Sequence, residues 1–138
     1  MDKNELGRIL IERIFHGTRI SANDVVKPQN KKHKRGVYMA LRNDGTVVYV
    51  GMVSNAKTAS LYMRFHGNGN SAHDKTDWWR EVKEVRFERF EVEKESLRLI
   101  ERLVIFASQQ PDYNDVCSDQ IAVNRLAFEL GMQGNGNV

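Results

Sequence analysis

Residues 36–51 read GVYMALRNDGTVVYVG, in which two strand-like runs flank an Asn-Asp-Gly turn. Turn residues of this kind between alternating apolar positions are a strong local signal for a β-hairpin. Each arm carries a tyrosine close to a glycine: Tyr38 follows Gly36, and Tyr49 precedes Gly51. We therefore expect this hairpin at the centre of the fold, with its tyrosines and glycines in corresponding places on the two arms.

The register of the hairpin decides where the two tyrosines lie. A two-residue turn places Tyr38 directly opposite Tyr49 and leaves the aliphatic side chains on the reverse face. A three-residue loop with a glycine bulge shifts the pairing by one residue and moves Tyr49 to the other face. Taken alone, a cross-strand tyrosine pair indicates no more than stabilisation of the sheet.

Helices and one further strand surround the hairpin. The apolar spacing predicts helices over residues 4–16, 55–67, 94–110 and 118–131, with a half-buried strand over residues 85–92. Gly17, Gly67 and Gly131 are placed to end helices, Pro111 follows the third helix, and Ser118 is placed to cap the last. This order predicts an α+β fold with a small three-stranded antiparallel sheet flanked by helices.

A chain of 138 residues is long enough for one domain with a single core. We expect that domain to span residues 1–138, with a core at about residues 34–115 and extra helical flanks at 4–17 and 118–131. These terminal helices suit either a homodimer interface or the completion of one monomer's core.

The composition limits the compartment. No apolar run approaches the ~18 residues that a membrane span requires, and the N-terminus lacks the pattern of a secretory signal. The single cysteine, Cys117, cannot form an internal disulfide, which suits a reducing compartment. We therefore expect a soluble, intracellular, cytoplasmic protein that does not bind membranes.

Positive charge is concentrated just before the hairpin. The formal net charge is only +3, but the run KPQNKKHKR (27–35) contains no acid. Its basic residues are Lys27, Lys31, Lys32, Lys34 and Arg35. A short basic run of this kind is often a solvated loop, whereas its position beside the hairpin favours contact with a polyanion.

Glu101 is the most unusual residue of the long helix. Leu97 and Ile105 lie one turn to either side of it, so its carboxylate falls at the edge of the apolar face. Burying an unpaired carboxylate costs several kcal/mol, so a partner is required. The sequence leaves two candidates, a salt bridge to Arg64 or Arg98 and a bound divalent cation.

Several of these residues together resemble the GIY-YIG nuclease family. The resemblance rests on Gly36-Val37-Tyr38, Tyr49-Val50-Gly51, Arg64 with His66, Glu101, and Asn114 after Pro111, in that order, and spans residues 34–115 or so. Each piece is common by itself, and the ordered set is specific. The resemblance implies a divalent-metal-dependent endonuclease that hydrolyses DNA phosphodiester bonds with one Mg²⁺ or Mn²⁺ ion per site.

Carried over residue by residue, the resemblance gives each position a role. Glu101 would bind the metal, Arg64 the scissile phosphate, and Asn114 would support the rim of the site. Tyr38 and Tyr49 would hold the attacking water. Gly36 and Gly51 would let the DNA backbone approach the sheet. The basic run before the hairpin, and not the resemblance, adds Lys31, Lys32, Lys34 and Arg35 as candidate contacts to the DNA backbone.

Activation of the water is open between two residues. A phenol with a free pKa near 10 is only about 0.1% ionised at pH 7, whereas a histidine is already near the right pKa. The resemblance favours Tyr38, and the free pKa values favour His66. Arg64 and His66 diverge by about 200° on an ideal helix, unless the helix ends near residue 65 and lets His66 turn.

The absence of a recognition domain beyond the short flanks shapes the expected specificity. We expect cleavage that is selective for DNA structure or weakly selective for sequence, or directed by self-association or a targeting protein partner. The alternative from another class is a catalytically silent nucleic-acid-binding module that retains the fold.

Overall fold

A four-stranded antiparallel sheet organises the residues that the computed structural model describes, which are 1–66, 72–108 and 120–132. In chain order the strands are β1 (Thr18–Ser21), β2 (Gly36–Leu41), β3 (Val47–Val53) and β4 (Glu84–Arg89). Their order across the sheet is β1-β4-β2-β3, so β3 is an edge strand. The predicted α+β class is confirmed.

The prediction of three strands is wrong, because the structure adds β1. This strand has four residues and buries only Ile20, so it is too short for the alternation that identifies a strand in a sequence. It exists because it pairs with β4 along its whole length, from Thr18 opposite Phe87 to Ser21 opposite Glu84.

Within the described ranges, five α-helices accompany the sheet. They are α1 (Lys3–Phe15), α2 (Ala22–Val25), α3 (Leu61–Phe65), α4 (Lys94–Ala107) and α5 (Gln120–Glu129). Short 3₁₀ helices lie at Pro28–Lys32, His73–Lys75 and Asp77–Glu81. None of the helices in the described ranges is long and apolar enough to span a lipid bilayer.

The helix boundaries follow local capping. Asp2 accepts a hydrogen bond from the Glu5 amide at the start of α1, and Gly131 has the positive φ of a helix-terminating glycine after α5, as predicted. Helix α3 is shorter than the predicted 55–67. The carbonyls of Ala56 and Lys57 accept hydrogen bonds from the Lys34 ammonium, and Ser60 caps the helix that begins only after it. Gly67 and Ser118 lie outside the described residues.

The sheet separates two clusters of buried side chains. One face carries Val37, Met39 and Met52 and packs against α1, α4 and α5 in an aliphatic core. The other face carries Tyr38 and packs against α2 and α3 in a cluster rich in aromatic rings. Helix α4 lies across β2 and the edge strand β3.

The hairpin pairs Tyr38 with Gly51, two residues away from the register that would place Tyr38 opposite Tyr49. Arg42 and Thr46 close a three-residue loop in which Gly45 has φ +86°, and this shifts the pairing once. A bulge between the pairs Ala40–Tyr49 and Leu41–Val47 shifts it again. Two single shifts restore the original face, so Tyr49 lies on the same face as Tyr38 but diagonally from it.

Candidate active site

Tyr38 lies at the centre of the candidate site, on the aromatic face of β2. Its side chain is 1% exposed, and its hydroxyl is hydrogen-bonded to Nε2 of His73 at 2.7 Å. Phe65 of α3 packs edge-on against the same ring, with 5.1 Å between centroids. Tyr38, which the resemblance proposes to hold the attacking water, therefore already has a hydrogen-bond partner within the protein.

His73 is the site residue that sequence reasoning missed. It is 7% exposed, and four aromatic rings surround it, those of Tyr38, Tyr49, Phe65 and Trp78. Its position 35 residues from Tyr38 leaves no local spacing signal, since only the fold brings the two together. The apolar alanine before it, also buried, was the one hint that this histidine faces inward.

Burial lowers the pKa of His73 from 6.5 to about 4. The positive charge of Arg64 adds to this decrease, and the negative charge of Asp74 opposes it. At neutral pH the imidazole is therefore uncharged. One ring nitrogen of a neutral imidazole accepts hydrogen bonds, so this group is able to take up a proton.

Tyr49 forms the outer part of the site. Its ring is half-buried, lies 6.3 Å from the ring of Tyr38, and stacks on Trp78 at 4.9 Å with an interplanar angle of 10°. Trp79, the neighbour of Trp78, packs on Phe65 instead. Both tryptophans are thus in contact with the protein's own aromatic rings.

The two glycines of the hairpin are explained by packing within the protein. Gly51 faces Tyr38 across the ladder, and a Cβ there would lie 2.5 Å from Cζ of that tyrosine. A Cβ on Gly36 would lie 2.5 Å from Cζ of Phe87. Both glycines are buried, and their contact with a phosphate backbone stays a prediction.

The charges of Arg64 and Glu101 both reach Tyr38. Burial raises the pKa of Tyr38 well above its usual value of 10, Tyr49 and Glu101 raise it further, and Arg64 opposes them. Tyr38 therefore remains a protonated phenol at neutral pH. Tyr49, Arg64 and Glu101, which the sequence nominated on β3, α3 and α4, therefore all lie within electrostatic reach of Tyr38.

Glu101 is partly buried and has no basic side chain locked to it. Burial raises the pKa of its carboxyl, and the positive charges of Arg64, Arg102 and Arg98 oppose that shift. Across the described ranges, no ion pair joins Glu101 to any of these arginines. The salt bridge to Arg64 or Arg98, one of the two possibilities that the sequence left open, is therefore not formed among the described residues.

His66 lies beside the site rather than in it. Helix α3 ends at Phe65, and His66 continues in an extended conformation, so the histidine does turn away from the helix. Its Nδ1 is 2.9 Å from Oδ2 of Asp74, and its ring packs against Tyr62. The contacts of His66 thus lead to Asp74 and not to Tyr38. Asn114 lies outside the described residues.

The nominated basic residues divide into two kinds. Lys34 binds the carbonyls of Ala56 and Lys57, and Arg35 binds Glu91, so both hold the protein's own segments together. Lys31 lies over the ring of Tyr62 on α3, and Lys32 is exposed. Only these last two present their charge at the surface beside α3.

The carboxylate of Glu101 suits the coordination of a hydrated magnesium ion. No cluster of three histidine, cysteine or acidic residues occurs within the described ranges, so the protein offers no multidentate cage there. Mg²⁺ often keeps several waters and takes one or two carboxylates plus oxygens of a phosphate substrate. One free, partly buried carboxylate beside an exposed arginine meets that modest requirement.

Comparison with known proteins adds no relative. No family model matches the chain, and no curated protein or solved structure matches it either.

Proposed function

We propose that this protein is a divalent-metal-dependent DNA endonuclease with a site similar to that of the GIY-YIG family. One observation carries the proposal. Tyr38, Tyr49, Arg64 and Glu101 come from four separate segments, and the last three all act on the pKa of Tyr38, while Glu101 keeps its carboxylate free of a close ion pair. A partly buried carboxylate without a close ion pair remains available as a metal ligand.

Phosphodiester hydrolysis needs charge stabilisation on the phosphoryl oxygens and an activated water. Arg64 is exposed at the end of α3 and supplies a permanent charge with paired donors, which suits it to two oxygens of one phosphate. A Mg²⁺ or Mn²⁺ ion bound through Glu101 would stabilise the charge on the leaving oxygen.

The Tyr38–His73 pair offers a route for the proton of the water. The raised pKa of Tyr38 means that it is not a phenolate at rest, so it would act as a relay that accepts one proton and gives up its own. As the phenol oxygen takes a proton from water, its own proton passes to the neutral imidazole of His73, and the hydroxide attacks phosphorus. In this mechanism His73 is the final acceptor of the proton from water, whereas the sequence left activation of the water open between Tyr38 and His66.

A second candidate function, a catalytically silent nucleic-acid-binding module, is favoured by the burial of Tyr38. With 1% of its surface exposed and its hydroxyl bonded to His73, the phenol does not meet solvent. A water would have to enter between the two rings for the endonuclease mechanism to operate. The same fold without that step would still present Arg64, Lys31 and Lys32 to a nucleic acid.

Nicking of supercoiled plasmid in Mg²⁺ separates the two candidates. We expect the parent to nick, Glu101→Ala to lose nicking, and Glu95→Ala, an exposed acid on the same helix, to keep it. Thermal unfolding confirms that both variants fold. Equal DNA binding by parent and Glu101→Ala, with no nicking by either, would establish the silent module instead.

A further inference from the structure

The arginines of this protein fall into two groups that differ in their partners. Ion pairs with glutamates hold the arginines on and beside the sheet, which are Arg13, Arg19, Arg35, Arg42, Arg86 and Arg89. The other six arginines are exposed and form no ion pair with any residue that the structure describes, and they are Arg8, Arg64, Arg80, Arg98, Arg102 and Arg125. Among these six, Arg64, Arg98 and Arg102 are the ones whose positive charge acts on the carboxyl of Glu101.

Helix geometry places two of these free arginines together. Arg98 and Arg102 are four residues apart on α4, so their side chains lie on one face, separated by a rise of about 6 Å. Glu101 lies one turn after Arg98 and immediately before Arg102, at the border between this face and the buried one. Both arginines point away from the apolar face of α4, and that direction keeps them at the surface.

The nearby acids do not cancel this charge. Glu95 lies three residues before Arg98, where an ion pair is geometrically allowed, yet none forms between them. Three unpaired arginines around one carboxylate leave a net positive charge at this edge of α4. Such an arrangement is favourable when a polyanion supplies the missing negative charge.

We propose that Arg98 and Arg102 form a contact surface for the DNA backbone on the solvent edge of α4, next to Glu101. This surface presupposes the DNA substrate proposed for the protein, and it adds the path that the strand takes. Arg64 would bind the scissile phosphate, and the two α4 arginines would bind neighbouring phosphates of the same strand. Such contacts position the nucleic acid and carry no sequence information, which agrees with weak sequence selectivity.

Fluorescence anisotropy with a short labelled DNA duplex in EDTA tests the surface without cleavage. We expect the double variant Arg98→Ala/Arg102→Ala to bind DNA about tenfold more weakly at moderate salt. Each phosphate contact releases counterions from the DNA, and the variant would lose the favourable free energy of that release. The slope of log affinity against log salt should become shallower by about two. The matched control is Arg8→Ala/Arg125→Ala, which removes the same charge from exposed positions on α1 and α5.

Three outcomes would overturn the proposed surface. An unchanged affinity in the α4 double variant removes these arginines from the interface. An equal loss in the control double variant shows that net charge alone drives binding. A parent that does not bind DNA even at low salt removes the partner itself.

The failures of the surface and of the endonuclease are distinguishable. Plasmid nicking by a parent whose α4 double variant still binds normally leaves the endonuclease standing and refutes the surface. Weakened DNA binding by the α4 double variant, with no nicking by the parent, supports the surface and refutes the endonuclease. Thermal unfolding of each variant shows that its fold is intact before binding is compared.

Discussion

Removing one oxygen atom from Tyr38 is a direct test of the site's architecture. In Tyr38→Phe the ring and its apolar contacts remain, and only the hydroxyl that meets His73 Nε2 at 2.7 Å is lost. Both partners are buried, so the substitution leaves the ring nitrogen of His73 without its hydrogen-bond partner. The loss of a buried hydrogen bond that leaves its partner unsatisfied costs about 1–3 kcal/mol.

We therefore expect Tyr38→Phe to lower the free energy of unfolding by about 2 kcal/mol. Urea denaturation measures this directly, and with a slope of roughly 2 kcal/mol per molar the midpoint should fall by about 1 M. The same variant, folded at the assay temperature, should also lose plasmid nicking, because the proton relay is broken.

Tyr62→Phe is the matched control for this change. Tyr62 is half-buried on α3, and within the described ranges no hydrogen bond to its hydroxyl is formed. The same deletion there should change stability by less than about 0.5 kcal/mol. Equal stability of Tyr38→Phe and parent would refute the buried hydrogen bond, and near-normal nicking by Tyr38→Phe would remove that phenol from the mechanism.

Three other perturbations have defined outcomes. Gly51→Ala should lower the free energy of unfolding by about 1–3 kcal/mol in urea denaturation, because its Cβ would overlap the Tyr38 ring. Gly45→Ala, which lies in open space at φ +86°, should lower it by only about 1 kcal/mol. Equal losses for the two variants would contradict the close approach of Gly51 to Tyr38. The pKa of His73 is about 4 in the folded protein and 6.5 in the unfolded chain, so the native state binds fewer protons. The contribution of His73 to stability should therefore be fully present above pH 6.5. The free energy of unfolding should fall by up to about 3 kcal/mol as the pH drops to 4. His73→Gln should flatten that fall relative to the parent, and an unchanged profile would show that the imidazole is not buried. Glu101→Gln should raise the unfolding free energy at pH 8, since burial disfavours the charged carboxylate, and should abolish Mg²⁺-dependent nicking; a less stable variant would mean that the native fold favours the charge.

Local chemistry alone determined much of this fold. The hairpin, α1, α4 and the glycine that ends α5 follow from alternation, helical periodicity and turn residues, all of which act between neighbours in the chain. The same patterns placed Glu101 at the edge of an apolar face. The order of the tyrosines, the arginine and the glutamate along the chain is also a property of the sequence, and the proposed similarity to the GIY-YIG family rests on that order.

Only the tertiary structure decided how these residues meet. Strand β1 exists through pairing with β4, and the register of the hairpin depends on a bulge that no local rule imposes. The partner of Tyr38 is a histidine 35 residues away, brought in by the packing of aromatic rings rather than by any spacing. Contacts distant in sequence carry no periodic signal, because their geometry is set by how whole elements pack and not by the residues between them.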